Sequence, residues 1–265
     1  MAKRLPHKII CLTEESVETL YLLGMQDKIS GVSIYVERPE AAKLKPKVTS
    51  FVKAKYSEIL ALKPDLILGY SDIQKDIAKD LIEKGLNVFI ANHRTVDGIL
   101  NYVYTLANLV GNASAGEELI QILEQKINVI AKKSAQLKRH PRVYFEEWDG
   151  PMISAIEWVS ELIEMAGGVN IFKDRAQGVL AKERFTTHEE VIQANPDIIF
   201  ACWCGKKVNL SSISKRDGYE VISAVKNQQI FELDPSIFLQ PGPAPLLEGL
   251  DILYHYFFKW AETDY

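Results

Sequence analysis

Residues 58–70 read EILALKPDLILGY, and residues 190–202 read EVIQANPDIIFAC. Each begins with glutamate and an aliphatic pair, passes through Pro-Asp, and runs into an apolar stretch. The offset is 190 − 58 = 132, about half of the 265-residue chain. The apolar stretches lack polar alternation, the signature of strands buried on both faces of a sheet. The residue before a proline disfavours the right-handed helical region, so the segment ahead of each Pro-Asp should be a short helix that stops there. A helix, a Pro-Asp turn and a buried strand are thus written twice.

Working outward, the two halves keep the same order. KIICL (8–12) reads as a buried strand, and SVETLYLLG has apolar residues at helical spacing and stops at Gly24. ISGVS and KVTSF read as further strands. After the Pro-Asp strand, IQKDIAKDLIEKG is an amphipathic helix and NVFIA the next strand. In the second half RVYFEE (142–147) is a strand, and EWVSELIEMAGG a helix that ends, like its counterpart, in glycine. QQIFELD then answers NVFIAN. The alternation predicts an α/β fold of two similar parallel-sheet lobes in tandem.

Between them, residues 113–138 contain no proline and one early glycine. Leu119, Leu123, Ile127, Ile130 and Leu137 form one apolar stripe. A continuous helix there would be roughly 40 Å long. The expected organisation is an N-terminal lobe over 1–111, a stiff spanning helix over 112–140 and a C-terminal lobe over 141–265, with a cleft that changes shape little.

Composition narrows the function classes. A net charge of −4 gives no electrostatic grip on nucleic acid or anionic membrane. No apolar run approaches the ~18 residues of a membrane span, and the start MAKRLPHKIICLTEE lacks a secretory h-region. That start suggests a cytoplasmic protein, or a periplasmic one whose leader has been trimmed. Three cysteines, Cys11, Cys202 and Cys204, are too few for a disulfide framework and are expected to be reduced.

In open parallel sheets, ligands bind outside the carboxyl ends of the strands. The residues just past the predicted strands are unusually aromatic: Tyr35, Tyr70, Trp148, Trp203 and Phe238. The bland alternative is that these rings cap the sheets as core, since Trp and Tyr are often largely buried. As a group they are expected to line one groove between facing lobes. Aromatic walls suit a large, flat or rigid ligand.

The stretches SGVSIYVERPEA, EILALKPDLILGY, WVSELIEMAGGVNIFKD and HEEVIQANPDII, with QPGPAPLLEGLDIL near the end, carry a resemblance that covers nearly the whole chain. It resembles the substrate-binding proteins of ABC importers for corrinoids, haem and ferric siderophores, most of all the vitamin B12-binding branch, and looks like a leaderless relative. The resemblance implies two α/β lobes, a spanning helix, an interlobe ligand site and a monomer that is not an enzyme. It implies a corrinoid or similar macrocycle as ligand and an ABC permease dimer as partner. It also places Tyr35 and Tyr70 where aromatic rings face the corrin, and Phe238 in the last ligand loop. Gln240 stands where relatives often carry arginine, which speaks against a carboxylate-rich siderophore. Docking glutamates are implied seven residues before each Pro-Asp proline. That place is Glu189 in the second lobe; in the first it is Ser57, with Glu58 one step along.

No catalytic constellation or resident cofactor is expected. CWCGKK (202–207) is the most distinctive local segment. It could make a soft-metal or reactive-thiol site at Cys202 and Cys204, with Lys206 and Lys207 lowering a thiol pKa. Cys-x-Cys lacks the usual zinc spacing, so core cysteine and solvated lysines are the favoured reading. The alternative function is a cytoplasmic cofactor- or metal-handling protein, or an enzyme, using that segment on the same scaffold. HEE (188–190) is not a zincin motif. His93 and Arg94 read as a solvated loop, and Glu146, Glu147 and Asp149 have no nucleophile to serve.

Overall fold

A computed structural model describes residues 5–263. It divides into two compact units: one takes the chain through His93 with Asp97–Leu123 and Pro241–Pro243, the other Arg94–Val96, Glu124–Gln240 and the segment from Ala244 on.

The strands are β1 (Ile9–Cys11), β2 (Ile29–Ser33), β3 (Lys47–Thr49), β4 (Leu66–Tyr70), β5 (Val88–Ala91), β6 (Arg142–Asp149), β7 (Met152–Ser154), β8 (Val169–Asn170), β9 (Ile198–Ala201) and β10 (Ile230–Glu232). The helices are α1 (Glu14–Leu22), α2 (Tyr56–Leu62), α3 (Lys75–Glu83), α4 (Val96–Val110), α5 (Ala113–Ser134), α6 (Glu157–Met165), α7 (Lys173–Ala176), α8 (His188–Ala194), α9 (Leu210–Ser214), α10 (Ser223–Lys226), α11 (Pro235–Phe238) and α12 (Leu250–Ala261).

The first sheet is all parallel, in the order β3-β2-β1-β4-β5. The second runs β10-β9-β6-β7, with β8 also pairing to β6. The two Pro-Asp strands, β4 and β9, therefore lie in separate sheets, each beside its unit's central strand.

The Pro-Asp repeat has a physical reason. Lys63 and Asn195 end α2 and α8 in the left-handed conformation, with φ of 50° and 43°. The proline that follows cannot continue the helix, and the aspartate turns onto the central strand. The Asp65 carboxylate accepts the backbone N–H groups of His7 (2.8 Å) and Lys8 (3.0 Å), while its own N–H donates to the Lys8 carbonyl. Asp197 repeats this at β6: it accepts from the Arg142 N–H at 2.8 Å and donates to the Arg142 carbonyl at 2.7 Å. Each Pro-Asp thus clips the start of one strand to the start of its neighbour. The glycines that close α1 and α6 are equally matched: Gly24 and Gly167 sit at φ +69° and +97°, which side chains rarely adopt. The next N–H reaches back to the Leu20 and Ile163 carbonyls, respectively, in the 6→1 bond of a Schellman cap.

Two departures from the sequence reading stand out. The β6–β7 pair is antiparallel, through a turn at Gly150 and Pro151, so the second sheet is not purely parallel. And α5 stops at Ser134, short of residue 138: Leu137 turns back against Gly167 instead, ahead of the helix-stopping Pro141. The apolar stripe of α5 is otherwise as expected, with Leu119, Leu123 and Ile130 buried. The chain passes from one unit to the other within α5.

Candidate ligand-binding site

In the first unit, Tyr35 lies just past β2, 38% exposed, with its ring stacked on Phe51 (centroids 4.6 Å apart, planes 15° apart). A stacked pair is an offset platform whose orientation is fixed before any ligand arrives. Phe51 was not singled out in the sequence, although it follows β3 just as Tyr35 follows β2; the strand-end rule applied to β3 would have found it. Tyr70, half-buried at the end of β4, donates its hydroxyl hydrogen to the His93 carbonyl. The His93 ring stacks on Tyr102 at 4.9 Å, and its Nε2 lies 2.6 Å from the Pro241 carbonyl. A carbonyl only accepts, so Nε2 carries the proton there. His93 is thus held by ordered partners in place of the solvated loop expected.

In the second unit, Trp148 is half-buried on β6, its Nε1 donating to the Gly150 carbonyl at 3.1 Å. Trp203 differs from the open ring expected of it. It is 2% exposed and belongs to a core cluster with Tyr144, Ile199, Ile213, Tyr219 and Ile222. Its Nε1 donates to Glu146, which is fully buried on β6. Glu146 also receives both terminal nitrogens of Arg216, at 2.6 and 2.8 Å, and the Tyr144 hydroxyl at 3.2 Å. A buried carboxylate is tolerable only with such partners, and here they fix the edge of the Trp203 indole. Glu147 pairs with buried Arg184, whose Nη1 also donates to the Ser154 carbonyl at 2.7 Å.

Phe238 ends α11 with no exposure, its carbonyl accepting from Trp158 Nε1 at 2.9 Å. Two residues on, Gln240 is 4% exposed, and both its Oε1 and Nε2 are buried without a hydrogen-bond partner. Leaving a buried donor or acceptor unmade costs about 1–3 kcal/mol. An orphaned primary amide therefore marks a place where a partner is wanted. A surface groove of about 540 Å³ beside α3, lined by Ser71, Lys75, Ala78, Ile82 and Ile90, holds none of the expected ring residues.

Cys202 is buried and Cys204 exposed. Burial, with surrounding acidic side chains, pushes the Cys202 thiol well above its ordinary pKa, the opposite of a reactive thiolate. Among the described residues no group of three His, Cys, Asp or Glu side chains could hold a metal ion.

The proposed docking residues lie in the first turns of α2 and α8. Ser57 and Glu189 are each the second residue of their helix, and Glu58 and Glu190 the third. Glu189 is exposed. Glu190 closes a capping box with Thr187 and pairs with Arg175, which holds its carboxyl down at about pKa 2. Glu58 occupies the capping register but points to Lys55 at 3.2 Å.

Residues 9–237 match the sequence profile of a family described as "Periplasmic binding protein". The chain belongs to this family. Among its relatives is an uncharacterized ABC transporter substrate-binding lipoprotein, YvrC, of Bacillus subtilis. It is 26% identical over 95% of this chain and 80% of its own length. The vitamin B12-binding protein of Vibrio cholerae is 26% identical over 93% of this chain and 88% of its own length. A solved structure of a possible iron-binding (periplasmic solute-binding) protein from Staphylococcus epidermidis superposes with a TM-score of 0.81 at 26% identity, covering 96% of this chain and 99% of its own. All three relatives bear names of binding proteins.

Proposed function

We propose that this protein holds a corrinoid, cobalamin or cobinamide, and delivers it to an ABC-type importer outside the cytoplasmic membrane. The exposed Tyr35–Phe51 platform supplies stacking area, with Tyr70 and Trp148 at other strand ends. The likeness to a B12-binding protein and to a transporter lipoprotein supports both the ligand class and the setting. The observation that carries the choice of ligand is Gln240. Its neutral amide offers a donating NH2 group and an accepting oxygen, both unpartnered and buried. A ligand carboxamide returns both hydrogen bonds at once, whereas a carboxylate only accepts and must bring a buried charge. Corrin side chains are carboxamides; haem and many siderophores present carboxylates. In the cysteine-based alternative, Cys202 is a poor thiolate, being buried and hard to ionise.

Calorimetric titration of cobinamide and of haemin into the wild type and Gln240→Glu tests this. The account expects saturable cobinamide binding that Gln240→Glu weakens about tenfold or more, the loss of one to two buried hydrogen bonds. Equal affinity of both proteins for cobinamide would remove Gln240 from the site.

A further inference from the structure

The segment CWCGKK is left unused by this reading, and its geometry points to a device. Gly205 turns the chain at φ +71°, and the Lys206 N–H reaches back toward the Trp203 carbonyl at 3.4 Å. The turn lays the Lys206 side chain over its own strand end. Its Nζ sits 4.7 Å from the centre of the Trp203 ring and 5.7 Å from that of Trp148. It donates to Asp149 Oδ2 at 2.6 Å. Two indole faces and a carboxylate around one ammonium make a cation cage, built from the end of β6 and the turn after β9.

We infer that Lys206 is the built-in occupant of this cage, and that a ring ligand binds by displacing it from the Trp203 face. The inference rests on the corrinoid reading above. An exposed ion pair alone would carry little weight; the two indole contacts are what set this lysine apart. Trp203 itself cannot easily move, because Glu146 and Arg216 fix its indole edge. The movable cover is Lys206, on a flexible stem whose side chain is 48% exposed. Its departure uncovers an indole that is already oriented, and frees the Asp149 carboxylate to accept N–H donors from a ligand's carboxamides. The near-complete burial of Trp203 and its proposed service to a ligand are thereby compatible: the covered indole belongs to the free protein.

Lys206→Ala removes the cover, and Lys206→Met keeps the stem without the charge. Both variants are titrated with cobinamide beside the wild type, with melting curves as a control for folding. In parallel, the acylation of Lys206 in the wild type is mapped by mass spectrometry with and without cobinamide. The expected result is a two- to fivefold gain in affinity for Lys206→Ala, roughly the worth of an exposed cation–π contact. A smaller gain is expected for Lys206→Met, and faster acylation of Lys206 once cobinamide is bound. Wild-type binding with unchanged or weaker binding by Lys206→Ala, or with acylation of Lys206 slowed by ligand, would overturn the inference and leave the functional reading standing. Absence of wild-type binding would overturn the functional reading, and displacement with it.

Discussion

Glu15 shows what a single residue can hide. TEESVETL places acidic residues in the first turn of α1, where they suit the helix dipole. Yet Glu15 is 2% exposed, and its carboxylate accepts from the Thr13 hydroxyl. Burial pushes its pKa up to about 7, with the Thr13 hydrogen bond pulling the other way. What buries it comes from far along the chain: the backbone at Gly242 lies against Glu15 so closely that an added Cβ would meet the Glu15 Cβ at 2.8 Å. No local pattern could signal that contact. The consequence for stability has a definite sign. A raised carboxyl pKa means the folded protein holds a proton that the unfolded chain has already released. Stability is fully present below about pH 4.5 and declines as pH rises to about 7. Glu15→Gln should flatten that decline, raising stability at pH 8 by on the order of 1–3 kcal/mol and changing it little at pH 4. Urea unfolding of both proteins across pH 4–8 checks this; a parallel decline in the variant would place the titration elsewhere.

At the scale of elements, short-range signals carry the repeat. The Pro-Asp repeat announces α2-β4 and α8-β9 because a helix stop, a proline and an unbroken apolar run are all short-range signals. The β6–β7 hairpin was missed because Met152–Ser154 is three residues long and owes its conformation to pairing with β6. The end of α5 was overrun because Leu137 continues the apolar stripe, although its partner is Gly167. The first turns of α2 and α8 carry a prediction of their own. We propose that Glu189 meets a permease, and that the corresponding place on α2 is empty of charge because Ser57 stands there and Glu58 is turned to Lys55. One residue on a helix is a rotation of roughly 100°, so Glu58 is a poor substitute. The unaltered protein should form a weak complex with a B12-type permease, and Ser57→Glu should tighten it several-fold in a pull-down or surface-binding assay. Tight binding by the unaltered protein, unimproved by Ser57→Glu, would refute this pairing.

For the molecule as a whole, the fold was the easier inference and the site the harder one. Two sheets follow from periodicity, but exposure at a strand end depends on what covers it. Tyr35 remained open on its Phe51 platform, whereas Trp203 is covered and edge-anchored to Glu146 through a network whose far member, Arg216, lies 216 − 146 = 70 residues away. Sequence named the rings; that Lys206 lies over Trp203, and that Arg216 anchors the Glu146 beside it, comes only with the structure. The central claim is that these rings and the neutral Gln240 amide select a corrinoid over haem. The most direct measurement is competitive retention: the purified protein is mixed with equimolar cobinamide and haemin, desalted, and the absorbance of the retained chromophore recorded. The account predicts corrin bands at one equivalent per chain. A retained Soret band of haem, or no chromophore at all, would contradict it.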